Sequence, residues 1–139
     1  MSVTGITPKA RDLAQRLISF EVAAENISRA KTPAAFIISE KLRLPLSTLV
    51  GTVGFRSLLM RALTLAKREA SILEGVQVKD DGSLEGLTGE TMEAGEVLIA
   101  HLIGLLETFI GEALTLRLLH DVWPDPPAFD ITPERKQSI

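Results

Sequence analysis

The sequence predicts an all-α domain: a bundle of four main helices with one small β-hairpin inserted before the long last helix. Three observations carry this expectation. Thr7-Pro8 and Thr32-Pro33 each open a run of apolar residues at helical spacing, with threonine as N-cap and proline at the first helical position. Strand-like alternation occurs only over residues 76–87, around an Asp-Gly turn. Residues 92–123 close a proline-free stretch that runs from 46 to 123, and the middle of this segment is apolar on nearly every side.

In the first helix Ala10, Leu13, Ala14, Leu17, Ile18, Ala24 and Ile27 recur on one face, with an end expected near Ala30. Glu21 and Glu25 lie one turn apart like a carboxylate pair, but such a pair usually marks the solvated edge of a helix. The second helix carries Ala34, Ala35, Ile37, Ile38 and Leu42, and Pro45 should interrupt it by removing a hydrogen bond and crowding the preceding turn. Gly51-Thr52-Val53-Gly54 then leads into a third helix reaching about Leu73. Glycines ahead of a helix can cradle an anion, yet the lysine and spacing of a P-loop are missing, so a tight interhelical turn is expected. Arg56 or Arg61 on this helix is a candidate partner for Glu107 or Glu112.

The hairpin places Val76, Val78, Leu84 and Leu87 to pack over one end of the bundle. Its Asp80, Asp81 and Glu85 lack the spacing of a calcium loop. Thr88 or Thr91 caps the last helix, Glu90, Glu93 and Glu96 suit its dipole, and Trp123-Pro124 stops it. A membrane span needs about 20 apolar residues, whereas Glu107, Glu112 and Arg117 interrupt this run, so a buried helix is expected. Residues 1–123 then form a single helical domain, followed by a proline-rich tail at 124–139.

Two features of the last helix suggest association. Ala100, Gly104, Thr108, Gly111 and Thr115 fall on one stripe, which would let another helix backbone come close, and they are the candidate interface. A straight helix of this length would span about 48 Å, against about 37 Å for the diameter of a domain of this size. Either the helix breaks near Gly111 or it protrudes beneath a second subunit, and the dimer is the expectation adopted.

The whole-chain figures narrow the function classes. The chain has 139 residues, is 45% hydrophobic and 24% charged, and contains no cysteine, which excludes disulfides, thiol catalysis and thiolate metal sites. The N-terminus lacks the apolar run of a signal peptide, so a cytoplasmic location is expected. The net charge of −3 conceals a basic first half and an acidic second half, which would complement each other across the fold. Few aromatics and no lysine- and arginine-rich cluster argue against nucleic acid.

Three stretches carry a resemblance: Gly54-Phe55-Arg56-Ser57-Leu58-Leu59-Met60-Arg61-Ala62-Leu63, the hairpin at 76–86, and Phe109-Ile110-Gly111-Glu112-Ala113-Leu114-Thr115-Leu116-Arg117-Leu118 running on to Trp123-Pro124. Together they cover about half of the chain, and it resembles a group of small uncharacterised bacterial helical proteins. That resemblance implies no activity, cofactor or catalytic residue.

The two histidines, His101 and His120, lie 19 residues apart on the predicted helix, about 28 Å if it is straight, so they share no site. No catalytic, cofactor or metal residue is assigned. Three expectations follow. The first is a non-enzymatic helical interaction or regulatory module, homodimeric through its last helix and open to a protein partner, with no role for nucleic acid or membrane. The second is a small-molecule sensor whose apolar pocket takes polar contacts from His101, Glu107 and Arg56. The third, an enzyme joining His101 to Glu21, Glu25 or Arg56, ranks last.

Overall fold

The computed structural model describes residues 8–25, 34–86 and 92–123. Residues 1–7, 26–33, 87–91 and 124–139 lie outside the described residues, and with them the expected helix starts at Thr7 and Thr32, the end of the first helix near Ala30, Leu87, Thr88, Glu90, Thr91 and the proline-rich tail.

Helix α1 (Pro8–Glu25) buries the stripe Ala10, Leu13, Ala14, Leu17 and Ile18. Helix α2 (Ala34–Glu69) passes through Pro45 in helical geometry and departs from it only at Gly51. The break expected at Pro45 is thus six residues too early, and the expected second and third helices are one element with a corner. Leu42 and Leu46 on either side of Pro45 are fully buried, which holds the backbone there, while Lys41, whose carbonyl loses its donor, belongs to the exposed side of the turn. At Gly51 φ is 87° and ψ is 157°, a region open essentially to glycine alone.

Helix α2 ends at Glu69, and Ser71–Leu73 add a 3-10 turn in place of a longer helix. Strands β1 (Gln77–Val78) and β2 (Leu84–Glu85) pair antiparallel, Gln77 with Glu85 and Val78 with Leu84. The hairpin is clamped onto α2: Arg56 Nε donates to the Lys79 carbonyl and Arg43 to the Asp81 carbonyl, each at 3.1 Å. Gly82 sits against the Phe55 ring, where a Cβ would come within 3.1 Å of it.

The last helix is not one rod. It forms α3 (Met92–Ile110) and α4 (Glu112–Val122), separated by Gly111 at φ 94° and ψ 153°. Of the two outcomes that its length allowed, the break is the one found. The corner brings Leu118, Leu119 and Trp123 into the core, which a straight continuation would have carried out into solvent. Helix α3 packs against α1, α2 and α4, and its Leu98, Ile99, Leu102, Ile103 and Leu106 are all fully buried. The architecture is all-α, four helices with one two-stranded hairpin, around a core that takes residues from every helix and from the hairpin.

One buried polar group ties three helices together. Glu21 is 1% exposed; its Oε2 accepts from Trp123 Nε1 at 2.8 Å and from Lys41 Nζ at 2.5 Å. The Lys41 ammonium also lies 5.9 Å from the centre of the Trp123 ring. Glu21 is therefore not the solvated edge that its spacing suggested. It faces inward because the indole at the end of α4 needs an acceptor when buried.

Helix α2 and the α3–α4 pair repeat one pattern sixty residues apart. Gly51 matches Gly111 in backbone conformation. Ile38, Leu42, Leu46 and Leu59 match Leu98, Leu102, Leu106 and Leu119, all fully buried. Thr48 and Thr108 each donate to the carbonyl four residues back. Ala35 and Gly95, also matched, face each other so closely that a Cβ on Gly95 would lie 2.9 Å from that of Ala35. This matched pair meets across the two helices, as equivalent residues do beside a twofold axis.

Among the described helices α2 alone is long and apolar enough to cross a membrane, by length and composition. The Gly51 corner divides it, and its buried face lies in the core with α3.

Candidate functional site

Among the described residues, two of the surface hollows bring together several elements of the fold. The first is a cleft of about 490 Å³ between α1, the end of α2 and the start of α3. Arg11 and Gln15, one turn apart on α1, form one wall; Glu69, Ala70 and Ile72 form another; Ala94, Glu96 and Val97 complete it. Behind it His101, 1% exposed, meets Glu69 through Nε2 at 2.7 Å. A carboxylate only accepts, so the imidazole N–H donates and fixes the Glu69 head group. Arg11 Nε reaches Glu96 Oε2 at 3.4 Å, a single long contact.

The second is a groove of about 230 Å³ between α4 and the Pro45–Leu49 turn of α2. Pro45, Leu49, Leu114 and Leu118 make it apolar, and Arg117 and Asp121, one turn apart on α4, supply opposite charges along its edge. Leu49 and Leu114 are 46% and 41% exposed, and Leu44, at the start of the same turn, is 73% exposed. An apolar surface of this kind on a monomer marks a contact site more often than chance.

The residues singled out from the sequence are distributed differently. In the candidate interface Ala100, Gly104 and Thr115 are buried, whereas Thr108 and Gly111 are exposed. Thr108 and Thr115 turn their hydroxyls to the backbone, at Gly104 and Gly111. The stripe assumed one continuous helix, and the corner at Gly111 divides it.

The candidate pocket of His101, Glu107 and Arg56 is likewise spread out. His101 faces Glu69, Arg56 holds the hairpin and approaches Asp80 at 3.7 Å, and Glu107 sits near the Gly111 corner beside Glu112 and Lys9. The pairing of Arg56 or Arg61 with Glu107 or Glu112 is replaced: Lys9 at the start of α1 pairs with Glu112. Burial raises the Glu107 carboxyl above its ordinary value, and the neighbouring Glu112 charge adds to that, against a smaller opposing effect of Lys9. One Glu107 oxygen is buried without a partner among the described residues.

In the hairpin, Asp81 Oδ1 accepts from the Ser83 hydroxyl and backbone N–H, and these bonds hold its carboxyl below the usual value. Among the described residues no three His, Asp or Glu side chains gather as a metal site requires. His120 is exposed on α4, beyond the corner from His101. The cleft escaped the sequence reading because Arg11, Gln15, Glu69 and Glu96 come from three elements, and only the packing of α1 and α2 on α3 unites them.

No family model, curated protein or solved structure matches the chain.

Proposed function

We propose that this chain is a non-enzymatic helical interaction module that self-associates through α4, working in the bacterial cytoplasm and presenting the assembled dimer to a protein partner. The observation that carries the reading is the apolar groove of Pro45, Leu49, Leu114 and Leu118 with Arg117 and Asp121 on its edge. A twofold interface uses one surface twice, so that residue i of one copy meets j of the other and j meets i. Two α4 helices packed antiparallel would set Arg117 of each copy against Asp121 of the other, with Leu118 near the twofold axis and Leu114 flanking the charge pairs. The interface so described differs from the Ala100–Thr115 stripe, whose ends lie in the core.

The test is the mass in solution of the full chain and of Leu114→Glu. The intact protein is expected to dimerise, and the variant, its charge placed on an exposed position, to remain a folded monomer. An intact protein that stays monomeric at all concentrations sinks the proposal. A second reading, the small-molecule sensor, is favoured by the polar cleft lined by Arg11, Gln15, Glu69 and Glu96.

A further inference from the structure

The geometry of the α1–α3 cleft points to a ligand class, and we propose that it binds a primary ammonium group carried on an alkyl stem. The inference rests on the sensor reading and not on self-association, and the cleft shares no residue with the α4 groove.

Charge sets the sign of the ligand. Among the described residues that line the cleft, Glu69 and Glu96 contribute two carboxylates against the one guanidinium of Arg11. Among the described residues each carboxylate uses only Oε2: Glu69 towards His101 and Glu96 towards Arg11. The Oε1 atoms have no hydrogen bond among the described residues. They are acceptors of the kind that an N–H-bearing cation takes up in short charge-assisted bonds.

The cleft is also preorganised. His101 is buried and holds Glu69 from behind, so the carboxylate is oriented before any ligand arrives and less ordering is required on binding. His101 is a positioning residue and does not face the ligand. Gln15 offers a further amide to a polar group beside the cation.

The walls define the rest of the molecule. Ile72, 55% exposed, and Val97 give an apolar side along which an alkyl stem lies. Among the described residues no aromatic ring lines the cleft, and quaternary ammonium ions are recognised chiefly by aromatic faces. The preference is therefore for a cation with N–H donors. Such a group comes from a free alkylamine or from a lysine side chain of another protein, and the chemistry of recognition is the same for both.

The experiment is an NMR titration of the full chain with n-butylammonium chloride, in parallel with butyrate, tetramethylammonium and N-acetyl-lysine methylamide at constant ionic strength. Butylammonium is expected to shift the amides of Glu69, Ala70, Glu96 and Val97 saturably. Glu69→Gln, which keeps an acceptor for His101, should weaken binding about tenfold, the loss of one charge-assisted contact. Glu96→Gln should do the same without touching the histidine. Tighter binding of the lysine derivative than of butylammonium assigns the site to a protein ligand, and the reverse order to a free amine. Equal binding of butyrate or tetramethylammonium, or no saturable shift with butylammonium, overturns the proposal. The mass of the protein is a separate readout, so failure here leaves self-association standing.

Discussion

Replacing Glu21 by alanine is expected to destabilise the protein by about 3 kcal/mol, a sum of one large and one small effect. The large one is the Trp123 indole, 2.8 Å from the carboxylate, because a buried N–H left without its charged acceptor costs about 2–3 kcal/mol. The small one is Lys41, whose side chain is 43% exposed and recovers water, so its ion pair contributes only about 0–1 kcal/mol. For a chain of this length, each kcal/mol lowers Tm by roughly 4 °C, giving a fall of about 12 °C. Trp123 is the sole tryptophan, so urea unfolding followed by its fluorescence and by far-UV circular dichroism reads the contact and the whole fold together. Glu21→Gln keeps a carbonyl for the indole and gives up only the charge, and should cost about 1 kcal/mol. In a double-mutant cycle, Trp123→Phe should cost less in the Glu21→Ala background than alone, with a coupling of about 1 kcal/mol or more. A cost for Glu21→Ala below about 1 kcal/mol, or equal costs for alanine and glutamine, would refute the view that this carboxylate joins α1, α2 and α4.

Gly111→Ala and Gly51→Ala should each cost about 1–3 kcal/mol through backbone strain alone, since no atom lies within 4 Å of the added Cβ at either site; chemical denaturation checks this, and a neutral effect at both would mean the corners straighten without penalty. Glu107→Gln should stabilise the protein at neutral pH. Its carboxyl is raised in the folded state by burial and by Glu112, so the folded chain holds its proton more firmly than the unfolded one, and stability falls as pH rises from the ordinary glutamate value through the raised one. The advantage of the glutamine variant should therefore vanish as pH falls below the ordinary glutamate range, and an advantage that grows in acid would contradict the assignment.

Helix existence was legible because it rests on apolar spacing. The stripe of Ala10, Leu13, Leu17 and Ile18 and the Asp81-Gly82 hairpin were both readable before any packing was known, and both are found. The corners were less legible. Proline is the stronger helix breaker by itself, yet Pro45 lies inside α2 between two buried leucines, whereas Gly51 and Gly111 form the corners. The signal was present in the sixty-residue repeat: Thr48-Leu49-Val50-Gly51 and Thr108-Phe109-Ile110-Gly111 place glycine three residues after threonine in both copies. Read together, they mark Gly111 as a corner and remove the argument from an over-long helix. Glu21 was misread because helical spacing tells which residues share a face but not that an indole a hundred residues away needs an acceptor there. The cleft required the same kind of information, since Glu69 and His101 are brought together only by the packing of α2 on α3.

Self-association through α4 is tested most directly by sedimentation equilibrium of the full chain, Arg117→Asp, Asp121→Arg and the double reversal. The account predicts twice the 15.1 kDa chain mass for the intact protein. Each single reversal should weaken the dimer by about tenfold or more, as like charges are brought together across the interface, and the double reversal should restore it. A mass of 15.1 kDa at every concentration, or a double reversal no stronger than either single one, would contradict it.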